Sequence, residues 1–132
     1  MLGSVEFTDE VVVADFEAGV GTLTRLSEER IDTVLVVVEA TPKSMEVAER
    51  AVELAKARSV SRVVVVANRV RNTEDLESIR AAFAGLEIFA VPDDPKIVEA
   101  DRKGVAPFDL APDAPAVLAL MAMADTLVIS PN

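Results

Sequence analysis

The stretch "DTVLVVVEATPKSMEVAERAVELA", residues 32–55, decides the fold. Its first part, Thr33–Val38, is a β-branched run without alternation of apolar and polar residues. A strand with one wet face alternates. An unbroken run is buried on both faces, as in a parallel sheet covered by helices. The period then changes. Met45, Ala48, Val52 and Ala55 recur at helical spacing with charged residues between them, which predicts a helix over Thr41–Arg58. Thr41 suits the N-cap and Pro42 the first helical position.

The same pattern extends outward. Glu10–Ala14, Arg62–Ala67 and Glu87–Val91 are further apolar runs of strand length. Helices are predicted over Gly21–Glu29, Asn72–Ala84, Asp94–Lys103 and Pro115–Val128. Asn72–Ala84 opens on acidic residues that suit the helix dipole, carries the stripe Leu76, Ile79 and Phe83, and stops at Gly85. Asp94–Lys103 begins with Asp-Pro and ends before Gly104. The stretch "GVAPFDLAPDAP", residues 104–115, is the least regular and is expected to cross the surface. The order β-α-β-α-β-α-β-α-α implies an α/β fold. Its sheet is open and mostly parallel, of about four to five strands flanked by helices, in one Rossmann-like domain over residues 1–132.

Composition narrows the chemistry. The chain is 51% apolar but only 4% aromatic, so the core must be aliphatic. A net charge of −10 with no concentrated basic surface excludes counterion-releasing contact with nucleic acid and disfavours anionic membranes. There is no cysteine and no histidine. That excludes disulfides, thiolate zinc sites, cysteine nucleophiles and histidine bases, and no zinc, nickel, haem or Fe–S site is expected. Carboxylates and carbonyls remain, and they suit Mg²⁺ better than zinc. The longest apolar runs, such as "AVLALMAMA", are too short to span a bilayer, and "MLGSVEFTDE" lacks the features of a signal peptide, so a cytoplasmic location is expected.

In open α/β sheets ligands bind beyond the carboxyl ends of the strands. Four loops there are polar immediately after an apolar strand: "DFEAGVG", "EATPKS", "NRVRN" and "PDDPK". Taken in order, "VVVADFEAG", the stretch at residues 32–55, "RVVVVANRV" and "VPDDPKIVEADRKG" resemble the second half of the MinD/ParA-type (deviant Walker) P-loop ATPases. The resemblance is nearest the branch that matures carbon monoxide dehydrogenase by assisting nickel insertion, and it covers roughly residues 10–128. Order and spacing carry it, since no single motif is specific.

The resemblance implies an ATP or ADP site with Mg²⁺. Asp15 falls at the switch aspartate that contacts Mg²⁺ through water, and Gly19 at the switch glycine near the γ-phosphate. Asn68 falls at the asparagine that reads adenine, with Arg69 beside it, and Pro92, Asp93 and Asp94 fall on the loop bordering the base. Plainer readings stand beside these. Asp15 could cap a turn, Gly19 could serve a positive φ, Asn68 could be a strand-end turn former, and Asp94 could be the N-cap before Pro95.

The departures from the family are as informative. Its glycine-rich loop and lysines are missing, as are the branch's metal-binding cysteines. A second reading takes "AGVGTLT", residues 18–24, as the end of a deviant P-loop with Thr22 in place of the lysine. Under either reading the phosphate-binding lysine is gone. The expectation is therefore a degenerate or partial nucleotide-binding domain without independent hydrolysis. It would act as a non-catalytic interaction or regulatory module, as a homodimer or with a partner protein. The alternatives are half of an ATPase whose P-loop is supplied elsewhere, or an adenine-nucleotide binder without hydrolysis.

Overall fold

Three parallel strands, β1 (Thr33–Val38), β2 (Arg62–Val70) and β3 (Glu87–Pro92), lie side by side in the order β1-β2-β3 in the computed structural model, which describes residues 11–16, 31–58 and 60–129. A parallel pair cannot be closed by a hairpin, so a helix crosses between each. These are α1 (Pro42–Ala57) and α2 (Thr73–Ala82). After β3 come α3 (Pro95–Lys103), a single turn α4 (Pro107–Leu110) and α5 (Pro115–Ile129).

Both faces of the sheet are used, as the non-alternating valines require. On one face Val36, Val38, Val65 and Ala67 meet Ala48, Ala51 and Val52 of α1 and Ile79 of α2. On the other, Val66 and Val91 meet Ala116 and Met123 of α5. Among the described residues the covering is incomplete over β1, where Leu35 is 39% and Val37 59% exposed. Among the described residues no helix is long and apolar enough to cross a membrane.

Local chemistry sets the helix ends where the sequence places them. The Thr41 hydroxyl accepts from the Ser44 N–H at 3.3 Å, and the Asn72 side chain accepts from Asp75 N–H at 2.8 Å. Gly104 closes α3 at φ 67, a left-handed conformation that costs glycine nothing. At the amino end of the sheet Arg62 of β2 and Glu87 of β3 pair at 2.7 Å.

The α/β class and the parallel sheet stand, with one correction to the elements. Val11–Ala14, most of the predicted first strand, forms no strand, and Val13 is 86% exposed. A β-branched run becomes a strand only by pairing, and no neighbour among the described residues takes up this segment's backbone groups in a ladder. The described residues therefore hold three strands rather than four or five. Glu10, Gly19 and the helix expected over Gly21–Glu29 lie outside the described residues. β2 also runs three residues past Ala67, to Val70, and the irregular stretch after Gly104 contains α4.

Ile79 is fully buried between α2 and the sheet. Ile79→Ala should lower unfolding free energy by about 2–5 kcal/mol in denaturant titration, whereas Val37→Ala, on the uncovered face, should cost under about 0.5 kcal/mol. Equal effects would contradict this placement of the core.

Candidate functional site

Because the three strands are parallel, their carboxyl ends fall on one edge. That edge gathers Glu39 after β1, Asn68 and Arg69 near the end of β2, and Pro92, Asp93 and Asp94 at the end of β3. Crevices outside such an edge are where open α/β sheets hold ligands.

The edge is irregular at one place. β2 and β3 pair residue for residue from Val64↔Glu87 to Ala67↔Ala90, and the next pair is Val70↔Pro92. β2 thus carries one residue more than β3 over this interval, and Asn68 and Arg69 together oppose Val91. Such bulges re-aim side chains and are common beside active sites. Arg69 has φ 54, the one non-glycine residue with positive φ among the described residues. That conformation costs a side-chain-bearing residue roughly 1–2 kcal/mol.

Two carboxylates face the Arg69 guanidinium. Its Nε donates to Asp93 Oδ1 at 3.4 Å, and an Nη lies 3.7 Å from Glu39 Oε1. One guanidinium thereby touches groups from the loops after β1 and β3. These side chains are exposed, so each pair contributes at most about 1 kcal/mol. Reading the sequence finds Arg69 and Asp93 but misses Glu39. Its signal was an acidic residue directly after the apolar run of β1.

Asp94 behaves differently from its neighbour. It is the one buried charged residue among the described residues, 6% exposed. Its Oδ1 accepts from Lys96 N–H and its Oδ2 from Ala116 N–H, both at 3.0 Å. One carboxylate therefore caps the starts of α3 and α5 together, satisfying amides that a helix N-terminus leaves unpaired. The Ala116 amide first, and then the Lys96 amide, hold its carboxyl below the ordinary aspartate value of 3.8. Asp94 thus faces the helices, with both oxygens engaged.

The "EATPKS" loop is likewise closed on itself. Glu39 N–H donates to the Ser44 hydroxyl at 2.9 Å, Thr41 N–H to the Glu39 carbonyl at 2.8 Å, and Ser44 N–H to the Thr41 hydroxyl. Those amides are taken and cannot cradle a phosphate. Asn68 is half-buried beside Arg69. Asp15 sits on the exposed Val11–Phe16 segment. Among the described residues no group of three acidic side chains converges as a metal site. A shallow depression at the amino end of β3, lined by Arg80, Phe83 and Leu86, lies away from this edge.

No protein-family model matches the chain. Over 99 residues, 73% of its length, it is 34% identical to an uncharacterized ATP-binding protein of Methanocaldococcus jannaschii, spanning 38% of that protein. A second ATP-binding protein of the same organism is 29% identical over 90% of this chain and 46% of its own length. The carbon monoxide dehydrogenase accessory protein CooC of Rhodospirillum rubrum is 27% identical over 78% of this chain and 40% of its own. Among solved structures, the MinD cell division protein of Aquifex aeolicus superposes with a TM-score of 0.68 at 24% identity, covering 86% of this chain and 50% of that one. The chain thus spans half or less of the length of the relatives it matches.

The double cap makes a pH-dependent prediction. A folded-state value below the unfolded one gives stability that is present above pH 3.8 and is lost as pH falls through the lowered value. Asp94→Asn keeps one acceptor oxygen and turns an amide donor toward one of the two N–H groups. Its melting temperature should lie below that of the parent protein at neutral pH, and the gap should narrow in acid below pH 3.8. Equal melting at neutral pH, or a gap unchanged in acid, would contradict the cap.

Proposed function

We propose that this chain, related to the MinD/ParA-like P-loop ATPases over part of their length, is a partial nucleotide-binding domain that retains the adenine side of the site. The carrying observation is Asn68, set in a bulge at the carboxyl end of the central strand. A carboxamide offers a donor and an acceptor side by side, which matches the edge of adenine. ATP binding in the names of the relatives supports a nucleotide as the ligand class. Pro92 and Asp93 border the base, and Arg69 stands next to its reader.

The charge at the edge supports the base rather than the phosphates. Glu39 and Asp93 set two carboxylates against one guanidinium, a balance that repels a polyphosphate and leaves a neutral base unaffected. Mg²⁺ is held by one or two carboxylates together with substrate phosphates and water. Asp15 alone fits only an outer, water-mediated contact.

Hydrolysis is a separate matter. Phosphoryl transfer rests on a backbone cradle, a lysine and a metal-bound hydroxyl. None of the five glycines in the sequence is followed directly by lysine in a glycine-rich turn. A single lost donor of that kind costs about 3 kcal/mol, or roughly two orders of magnitude in rate. From these residues we read the domain as a non-catalytic interaction or regulatory module in the cytoplasm. A second reading, half of an ATPase completed by a P-loop from another polypeptide or an upstream segment, is favoured by the edge of β1, which has no further strand beside it among the described residues, and by the exposed Leu35 and Val37. The same edge suits a second copy, because unpaired apolar strand edges recruit other chains.

Two experiments test these readings. Mg·ADP and Mg·ATP should raise the melting temperature of the protein, and Asn68→Ala should abolish the rise without destabilising the free protein. A mutant that melts lower, with nucleotide never having had an effect, makes Asn68 a turn residue. Purified protein should release no phosphate above background, and steady release abolished by Asp15→Ala would overturn the non-catalytic reading.

Light scattering at high concentration should show a dimer. Val37→Lys, which places a charge on the edge strand, should return it to a monomer. A net charge of −10 on each copy means that added salt should favour the dimer. A parent protein that stays monomeric at all concentrations contradicts self-association.

A further inference from the structure

Strands alternate, and Val65 and Ala67 face α1 and α2. Strict alternation would set Arg69 on that covered face and Val70 on the opposite one. The extra residue in β2 reverses this. Val70 packs with the core under α1 and α2, while the Arg69 side chain stands 58% exposed at the edge. Burial of Val70 alone would be served better by glycine at position 69, since glycine takes φ 54 without steric cost. The chain has an arginine there instead.

Exposed ion pairs as weak as these do not account for a strained arginine through stability. Their effect is on geometry. The guanidinium reaches Glu39 on one side and Asp93 on the other, while Asp93 N–H donates to the Val70 carbonyl at 3.0 Å. The loop after β3 is thus tied to Arg69 within the bulge that carries Asn68 and to Val70 just after it.

We propose that Arg69 is a positioning residue of the nucleotide site, its guanidinium pinning the loops after β1 and β3 at a fixed spacing on either side of the Asn68 bulge. The proposal rests on the reading of Asn68 as the adenine contact. A base that slides between two loops needs their separation fixed before it arrives, because ordering them on binding subtracts from affinity. Arg69 acts through Glu39 and Asp93 and need not touch the ligand.

Arg69→Gly separates backbone from side chain, because glycine favours the bulge and deletes only the guanidinium. Two readouts apply to the full chain: amide hydrogen exchange of the free protein, and calorimetric titration with ADP and GDP. Arg69→Gly should melt no lower than the parent. Its Asp93 amide should exchange about fivefold faster, and ADP affinity should fall about fivefold with a narrower preference over GDP, the size of one exposed charge pair. Arg69→Lys should restore part of each effect. In a Glu39→Gln/Asp93→Asn background Arg69→Gly should add nothing further. Unchanged exchange at Asp93 overturns the clamp whether or not nucleotide binds. Faster exchange with unchanged affinity and preference overturns the positioning role. A parent protein that binds no adenine nucleotide overturns the reading of the site itself, and exchange at Asp93 then decides the clamp alone.

Discussion

The parallel pairing of β1, β2 and β3 is the constraint from which the rest follows. Parallel strands cannot be joined by tight turns, so each connection must travel back along the sheet, and a helix is the compact way to do so. Covering helices bury the faces of the strands, which is why β2 is a run of valines with no polar alternation. The same constraint puts every strand's carboxyl end on one edge. Glu39, Asn68, Arg69 and Asp93 come from three separate stretches of sequence, and the ladder alone makes them neighbours.

At that edge the molecule departs from ideal geometry in one residue and resolves its one buried charge in another. Arg69 is strained and exposed. Asp94 is unstrained and buried, its oxygens shared between two helix N-termini. The two aspartates of the Pro92–Asp94 loop consequently divide their work. Asp93 joins the charged edge, and Asp94 locks α5 onto the sheet where Ala116 and Met123 cover Val66 and Val91.

Much of this was legible in the sequence because it is local. Thr33–Val38, the caps Thr41 and Asp94, and the helix stop at Gly104 each follow from a few adjacent residues. What was not legible depends on distant partners. Val11–Ala14 has the composition of a strand, but a strand is a relation between two segments. β2 extends to Val70 because β3 pairs with it beyond the bulge, although Asn68 and Arg69 look like the start of a loop. Asp94 reads as one cap, and its second partner, Ala116, lies 22 residues further on. The contact of Arg69 with Glu39 crosses two strands and leaves no local signature.

The most direct test of the account is to map where an adenine nucleotide lands. Backbone amide shifts recorded during titration with Mg·ADP should move together at the carboxyl edge, at Asn68, Arg69, Val70 and Asp93, and saturate with one affinity. Shifts confined to the amino end, around Arg80, Phe83 and Leu86, or no saturable shift anywhere, would contradict it.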